Sequence, residues 1–154
     1  MYRYLRKLVK PLFIIYLLIL IAVIILKFPT GMVGQTIRAW KNGEEVVRMK
    51  PQLIPFKTMV FYVSQVRAIH DWFFKNLACN LIMFMPFGFL LPQCIKKKSF
   101  WKVVLLGCIT SVVFEIVQYI TALGLCDIDD VILNTVGVAI GYFIYWIVKK
   151  VVKR

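Results

Sequence analysis

Ionisable and amide side chains are concentrated in one stretch of an otherwise apolar chain, between Glu115 and Asn134. Glu115 and Gln118 are three residues apart, so on a helix they lie on one face. A second helix that begins near Asp130 would carry Asn134 on the same face one turn later. If a tight turn containing Gly124 joins the two helices, the two polar faces meet at the turn. That meeting point is the candidate site.

Glu115 is the most costly of these groups, because it lies about seven residues, roughly 10 Å, from the end of its helix. A charged carboxylate in apolar surroundings costs several kcal/mol unless it is paired, hydrogen-bonded or protonated. One interpretation is a ligand-binding or acid/base group. The other is a buried carboxyl that hydrogen-bonds Asn80, Gln118 or Asn134 and joins helices. The sequence leaves both open.

Three aspartates, at positions 127, 129 and 130, follow the turn. Hard cations take oxygen ligands, so a metal site is one interpretation. A carboxylate at the start of a helix also accepts bonds from unpaired N–H groups and suits the helix dipole. We therefore predict that Asp130 or Asp129 caps the helix and that no metal is bound. Asp127 has no such structural reason, so it is the better candidate for function.

Composition identifies the class of protein. The chain has 154 residues, 61% of them hydrophobic, with a formal charge of +13, and its mean hydropathy is +0.80. A soluble domain of this size would expose too much apolar surface, so a single membrane domain, residues 1–154, is predicted. The basic residues flank apolar segments and no nucleic-acid motif accompanies them, which indicates lipid headgroups and not nucleic acid as their partner.

The pattern of apolar segments predicts an all-α integral membrane protein, a four-helix transmembrane bundle. The segment 29–75 has a different character. Gly31, Gly34 and the stretch 41–45 indicate a loop with a turn at Asn42-Gly43, and the apolar run 58–63 is too short to span a membrane. Segment 29–75 is therefore expected to be an interfacial helical loop between the first two spans. The predicted spans are 11–28, 76–95, 100–123 and 130–148.

More than half of the 20 Lys and Arg residues lie at the N-terminal end, between the second and third spans, and in the C-terminal tail. The positive-inside rule then predicts a multi-pass protein of the cytoplasmic membrane with both termini in the cytoplasm. With that topology, polar pairs from three spans converge on the outer side. These groups are Asn76 and Asn80, Glu115 and Gln118, and the polar residues from Asp127 to Asn134.

Small residues and prolines indicate where helices bend or approach each other. Pro86 and Gly88 lie inside the second span and predict a kink. Gly137 and Gly141 form a GxxxG pattern, which permits close approach of another helix from this chain or from a partner.

Other residue patterns leave the chemistry open. Asn76 and Asn80 are either helix caps or ligand contacts. The four cysteines have no metal-ligand spacing and are expected to be free, with a Cys79–Cys126 disulfide as the alternative. No nucleophile motif, phosphate loop or dinucleotide pattern is present, so the catalytic residues stay unknown and no cofactor is expected.

These motifs together resemble the VanZ-like family of bacterial membrane proteins. The matching pieces are QLIPFKT (52–58), NLACNLIMFMPFGFLLP (76–92), Glu115-x-x-Gln118 and DIDDVILNTVGVAIGY (127–142). The resemblance implies a small polytopic membrane protein, and the family's named member is associated with resistance to the glycopeptide teicoplanin. The family-like residues are Pro55, Phe56, Asn76, Asn80, Pro86, Gly88, Glu115, Gln118, Asp127, Asp130, Asn134, Gly137 and Gly141. Many relatives carry an arginine at about Gly124, where this chain has none.

The expected function is binding of a lipid-linked cell-wall precursor or a glycopeptide in a polar pocket at the outer leaflet. Arg67 or Lys75 would attract phosphate or carboxylate there. One alternative is a membrane enzyme that uses Glu115 or Asp127 as acid/base on a lipid-linked substrate. The other is a structural subunit that assembles through Gly137 and Gly141. The ligand-binding candidates are Asn76, Asn80, Glu115, Gln118, Asp127, Asp130 and Asn134.

Overall fold

In the computed structural model the described part of the chain folds into α-helices joined by short connections. The structure describes residues 2–26, 30–46, 48–64, 70–96 and 98–152, without the side chains at 2–7, 25, 26, 30–32, 62–64 and 70–77. The helices are α1 (Tyr2–Leu26), α2 (Thr30–Asn42), α3 (Lys57–Ser64), α4 (His70–Cys94), α5 (Phe100–Thr121) and α6 (Ile128–Val152). The all-α prediction is confirmed over these residues.

The central pair is α4 and α6, which run parallel at very short separation. A Cβ atom on Gly137 would lie 2.3 Å from the carbonyl oxygen of Leu81, and one on Gly141 would lie 1.9 Å from that of Met85. A Cβ atom on Gly88 would meet the carbonyl oxygen of Val138 in the same way, at 2.0 Å. Only glycine permits backbones to approach this closely. All three glycines therefore pack inside the chain, and another helix would have to displace one of this pair to use the same face.

The other two long helices run antiparallel to this pair. On α5, Gly107 packs against Val138 and Ser111 hydrogen-bonds Asn134, so the residue numbers rise in opposite directions. On α1, the Tyr16 hydroxyl donates to the carbonyl of Met83 at 2.6 Å, and the Phe13 ring packs edge-on against Phe87. The starts of α1 and α5 therefore lie at the same end of the bundle as the ends of α4 and α6.

This arrangement separates the described lysines of α1, α5 and α6, and Lys98 before α5, from the described carboxylates of α5, α6 and the turn between them. We call one end the basic end, which carries Lys10, Lys98, Lys102, Lys149 and Lys150. We call the other the acidic end, which carries Glu115, Asp127, Asp129 and Asp130.

The core of the bundle combines buried apolar side chains, such as Phe84 and Val138, with buried polar ones, while many large apolar side chains face outward. The buried stripe of α5 consists of small and polar residues at helical spacing, Val103, Gly107, Ser111, Glu115 and Gln118. Its opposite faces expose large apolar side chains, with Ile120 61% exposed and Leu105 60%. An exposed apolar surface of this kind is suited to contact with lipid or with another apolar surface.

Two helices, α5 and α6, are long and apolar enough to cross a membrane, while the apolar parts of α1 and α4, Leu8–Ile24 and Ala78–Cys94, are shorter. The crossing of all four helices stays a prediction.

The connection between α1 and α4 differs from its prediction in one place. The stretch from Gly31 to Lys41 is helical as part of α2, so the loop predicted there is wrong. A glycine in a helix costs only about 1 kcal/mol relative to alanine, and a tertiary contact offsets it, since the Thr36 hydroxyl donates to the carbonyl of Ala122 at 3.1 Å. The turn at Asn42-Gly43 is confirmed, with Gly43 at φ +68°.

The remaining details concern the helix ends and the thiols. The helix that contains the second predicted span, α4, begins at His70, six residues before that span. The helix α6 begins at Ile128 and not at Asp130, where its start was expected. The turn between α5 and α6 contains Gly124, as predicted, and the left-handed residue that ends α5 is Ala122, with φ 50°. The four cysteines are free, so the alternative Cys79–Cys126 disulfide is not formed.

Candidate functional site

The turn between α5 and α6 is held by carboxylates. Glu115, 5% exposed, accepts a hydrogen bond at its Oε2 from the N–H of Asp127 at 2.9 Å. Asp127 in turn accepts one at its Oδ1 from the N–H of Asp129 at 2.9 Å. Asp127 immediately precedes α6, so this bond is an N-cap. The prediction that Asp130 or Asp129 caps α6 is therefore wrong, because Asp127 occupies the capping position.

Asp129 has a different and less expected role. Its side chain is 1% exposed, and its carboxylate accepts three main-chain hydrogen bonds, from the N–H groups of Phe56, Thr58 (3.0 Å) and Met59 (3.2 Å). These N–H groups belong to the start of α3, where the helix itself provides no partners. Asp129 thus caps α3 from 70 or more residues away in sequence.

Two further contacts fix residues 52–59, which we call the roof segment, over this end of the bundle. The Thr58 hydroxyl donates to Asp127 Oδ2 at 2.6 Å. Gln52 forms an isolated parallel bridge: its N–H donates to the carbonyl of Cys126 at 2.8 Å, and its carbonyl accepts from the N–H of Ile128 at 3.0 Å. The roof segment is therefore bonded to the residues on both sides of Asp127.

The roof segment includes a strained residue. Phe56 has φ 63°, a left-handed conformation that bulky side chains rarely adopt. Such a conformation costs on the order of 1–3 kcal/mol and persists only where surrounding contacts fix it. The bond from its N–H to Asp129 is such a contact.

The structure brings four of the predicted site residues together at the acidic end. Asn80, 3% exposed, donates from its amide to Asp130 Oδ1. Because Glu115 and Asp127 are bonded to each other on the neighbouring turn, these four groups form one polar cluster. We call Asn80, Glu115, Asp127 and Asp130 the acidic cluster.

Other predicted site residues lie apart from the cluster. The Gln118 amide faces α1 and donates to the carbonyl of Ile24 at 3.5 Å. The Asn134 amide donates to the Ser111 hydroxyl at 2.8 Å, one turn deeper in the bundle, and its Oδ1 has no partner among the described residues.

Three candidates fall outside the described side chains. Asn76 and Lys75 lie in α4 but their side chains are outside the description, and Arg67 is outside the described residues altogether. Whether any candidate binds a ligand stays a prediction.

Burial sets the electrostatics of the turn. The pKa of Asp127 is raised, chiefly because burial disfavours the charged carboxylate. The charges of Asp130 and Asp129 act in the same direction, while the bonds from the Thr58 hydroxyl and the Asp129 N–H oppose them. The pKa of the Cys126 thiol is raised as well, first by burial and then by Glu115 and Asp127. The local potential favours a proton or a donor-bearing ligand.

The described carboxylates and other ligand-type side chains form no group of three or more with an arrangement that could hold a metal ion. The hydrogen bonds explain this, since the oxygens of Asp127 and Asp129 are directed at N–H and O–H donors. The chemistry that the site offers is hydrogen bonding and proton exchange.

A groove of about 540 Å³ lies at the same end of the bundle as the acidic cluster, although none of the four cluster residues lines it. It lies between α2, the residues that follow α2, and the turn at Ala122–Gly124. Arg38 and Arg48 supply cations to its wall and Glu44 and Glu45 supply anions. Gly124, the position at which many relatives are expected to carry an arginine, also lines the groove. In this chain Arg38 and Arg48 supply guanidinium groups to the same groove.

Sequence reasoning missed several residues of this region. Ser111 lies one turn from Glu115 on the same face of α5, so the row of small and polar residues four apart is a signal that identifies it. Gln52 and Thr58 were within the matched motif 52–58 but had no assigned role. Arg38 and Arg48 were not singled out, since Arg38 lies on α2, which was not predicted, and Arg48 lies in the stretch that follows α2.

Comparison with known proteins gives two findings of similarity. The family model described as VanZ/LLP1 matches residues 13–149. Protein VanZ of Enterococcus faecium is 40% identical over 77 residues, which are 50% of this chain and 48% of that protein. The match thus spans about half the length of this curated relative. No solved structure matches the chain significantly.

Proposed function

The chain belongs to the VanZ/LLP1 family of membrane proteins, and from that premise we propose that it binds a cell-envelope ligand at the acidic end of its bundle. In this proposal α1, α4, α5 and α6 all cross the cytoplasmic membrane. Both termini lie in the cytoplasm, and the acidic end faces outward. The ligand is a lipid-linked cell-wall precursor or a glycopeptide, in keeping with the teicoplanin association that the resemblance implies.

Support for the membrane arrangement comes from helix directions and charge. The long helices alternate in direction, as consecutive membrane crossings must. In α1, α5, α6 and the residues beside them, the described lysines and carboxylates lie at opposite ends, which follows the positive-inside pattern. The segment between α1 and α4 adds basic residues, such as Arg38, Arg48 and Lys57, to the acidic end. The apolar outer surfaces of α5 and α6 suit lipid contact along their length.

The observation that carries the binding proposal is the groove of about 540 Å³ with two arginines and two glutamates in its wall, which lies at the same end of the bundle as the acidic cluster. A volume of this size accommodates a small-molecule headgroup or a peptide fragment. The groove wall offers guanidinium donors from Arg38 and Arg48, and carboxylate acceptors from Glu44 and Glu45. A ligand with both anionic and donor groups, such as a phosphate-linked peptide, matches that wall.

Substitution of Glu115 tests the proposal in cells. Glu115→Gln keeps an oxygen that can accept from the Asp127 N–H but removes the charge, whereas Glu115→Ala removes both. We expect Glu115→Gln to retain membrane abundance within about twofold and to lose glycopeptide protection. Glu115→Ala is expected to lower abundance as well, because a buried N–H loses its partner.

Two outcomes would contradict this reading of Glu115. If Glu115→Gln protects as well as the wild type, the carboxylate is not part of a working site. If both variants lose abundance equally, Glu115 is a structural group. A wild-type protein that gives no protection would show that the resistance phenotype does not transfer to this chain.

Cysteine labelling tests the orientation. Glu45 is exposed and follows the turn after α2, so Glu45→Cys in a cysteine-free background presents an accessible thiol. We expect a membrane-impermeant maleimide to label it in intact cells. Labelling only after lysis would place the acidic end in the cytoplasm and refute the outward-facing site.

A further inference from the structure

A second cavity, unrelated to the acidic cluster, opens on the flank of the bundle. It has a volume of about 350 Å³ and lies between α1, α4 and α5. Its walls are almost entirely apolar, and the hydroxyl of its one polar side chain, Thr110, already donates to the carbonyl of Leu106 at 2.8 Å. The side chains from α1 and α5 that line it are Phe13, Leu17, Ile21, Leu106, Thr110 and Phe114. We call this cavity the flank cleft.

The lining residues form two rows that each continue to a lysine. On α5 the lining positions are spaced by four residues, and Lys102 is the next position in that row toward the basic end. On α1, Lys10 precedes Phe13 by three residues and Leu17 by seven, so it lies on the same helix face. Both helices start at the basic end, so both exposed lysines lie at the same mouth of the flank cleft.

The same mouth carries a further positive contribution. The α5 helix begins at Phe100, next to Lys102, and its first N–H groups have no partner within the helix. The Ser99 side chain, at the N-cap, makes no capping hydrogen bond among the described residues. The positive end of the helix dipole therefore adds to the lysine charges.

No carboxylate of the described residues lies beside these cations. The described carboxylates lie at the acidic end or, as Glu44 and Glu45, line the groove at that end. The flank cleft thus combines an apolar channel with a cationic mouth that none of these carboxylates compensates. That combination matches an amphiphile with an anionic headgroup.

We propose that the flank cleft binds one acyl chain of an anionic phospholipid, with its phosphate between Lys10 and Lys102. From Leu106 to Phe114 the cleft extends eight residues along α5, about 12 Å at 1.5 Å per residue. One leaflet of a bilayer with a core of about 30 Å is only slightly longer. A single lipid of one leaflet therefore fits both the length and the charge. The site lies at the opposite end from the acidic cluster, so it does not depend on the ligand binding proposed above, although it rests on the proposed crossing of the membrane by α1 and α5.

Native mass spectrometry of the full chain in neutral detergent tests the assignment. Phosphatidylglycerol and phosphatidylcholine with identical acyl chains are titrated separately. We expect one phosphatidylglycerol to bind about tenfold more tightly than phosphatidylcholine, because each lysine near an anionic surface contributes substantially to binding. The double variant Lys10→Gln/Lys102→Gln is expected to lose that preference.

A matched control removes the same charge at the same end. Lys149→Gln/Lys150→Gln lies on α6, where the two lysines sit over the rings of Tyr145 and Trp146. We expect its affinity for phosphatidylglycerol to stay within about twofold of the wild type. Thr110→Phe fills the flank cleft without removing a needed polar contact, and is expected to abolish one-to-one binding of either lipid.

Each opposite result would overturn the proposal. Equal affinity for the two lipids removes the role of the cationic mouth. Unchanged binding by the double variant, or an equal loss in the control, removes the role of Lys10 and Lys102. If Thr110→Phe leaves lipid binding intact, or instead converts a dimer to a monomer, the flank cleft is not a lipid site.

Discussion

The two ends of the bundle differ in the exposure of the charged side chains on their helices, which are buried carboxylates at the acidic end and exposed lysines at the basic end. At the acidic end, Glu115 and Asp129 are almost completely buried, and each accepts main-chain hydrogen bonds. At the basic end, Lys10, Lys102 and Lys149 are exposed. Charge therefore holds the chain together at one end and is presented to the surroundings at the other.

The difference follows from the chemistry of the side chains. A buried carboxylate loses its hydration, and only donors of the protein can replace the lost water. Asp129 is short, so the chain must bring Phe56, Thr58 and Met59 to it. Lysine has a long apolar stem that can lie along a helix while its ammonium group stays in the headgroup region. The acidic end is thus the more ordered by hydrogen bonding, and the basic end is the more available.

The largest effect that this comparison predicts is for Asp129→Asn. The substitution replaces one carboxylate oxygen, which accepts hydrogen bonds from main-chain N–H groups, with an NH₂ group that can only donate. It also removes the negative charge. Hydrogen bonds to charged groups contribute about 1.5–3 kcal/mol each, so we expect the free energy of unfolding in detergent micelles to fall by about 3 kcal/mol. Limited proteolysis is expected to cut the roof segment early. An unchanged stability would show that the roof segment is held by something other than this carboxylate.

Asp127→Asn is the matched control, two residues away. An asparagine here can accept from the Asp129 N–H with its oxygen and donate to the Thr58 hydroxyl with its amide. Both contacts of the wild type survive, so we expect a loss below about 1 kcal/mol. If the two variants are equally unstable, the acidic end is sensitive to total charge and not to the bonding of Asp129.

Close packing of α6 on α4 fixes how the two helices are aligned along their length, and so fixes which residues lie at each end of the bundle. Gly141→Ala tests this, since the added Cβ would lie 1.9 Å from the carbonyl oxygen of Met85. Overpacking of this kind costs about 1–3 kcal/mol, and the better helix propensity of alanine offsets about 1 kcal/mol of it. We expect a net loss of up to about 2 kcal/mol in the free energy of unfolding.

Gly34→Ala provides the control for that substitution. Gly34 is also inside a helix, but a Cβ atom added there would meet no atom within 4 Å. Alanine is then expected to stabilise the protein by up to about 1 kcal/mol through helix propensity alone. The two Gly→Ala substitutions should therefore have opposite signs. Equal signs would mean that close helix approach is not what Gly141 provides.

Much of this architecture was accessible from the sequence. Alternating helix directions and the positions of Asn80, Glu115, Asp127 and Asp130 were enough to predict that these groups meet. Apolar length alone predicted α5 and α6 to within a few residues. GxxxG indicated a close helix contact, although it did not identify α4 as the partner.

What the sequence did not reveal depends on contacts distant along the chain. Asp129 and Asp127 are chemically identical and two residues apart, so only the position of the roof segment assigns them different roles. The helix α2 was missed because glycine propensity dominated the local signal, while its contact with Ala122 lies 86 residues away. Lys10 on α1 and Lys102 on α5 lie at one mouth of the flank cleft only because α1 packs beside α5, and the sequence did not predict that packing.

The smallest predicted effect concerns the titration of Asp127. Burial raises its pKa above the ordinary value of 3.8, so between those two values the folded chain retains a proton that the unfolded chain has released. The contribution of this group to the free energy of unfolding is therefore full below pH 3.8 and falls as pH rises through the raised value.

Subtracting the pH profile of Asp127→Asn from that of the wild type isolates this term, because the other carboxylates titrate in both proteins. The difference should decline with increasing pH over that window. In a Thr58→Val background, which lacks the hydroxyl that lowers the pKa of Asp127, the decline should extend to higher pH. A difference that rises with pH would show that hydrogen bonding, and not burial, dominates the charge state of Asp127.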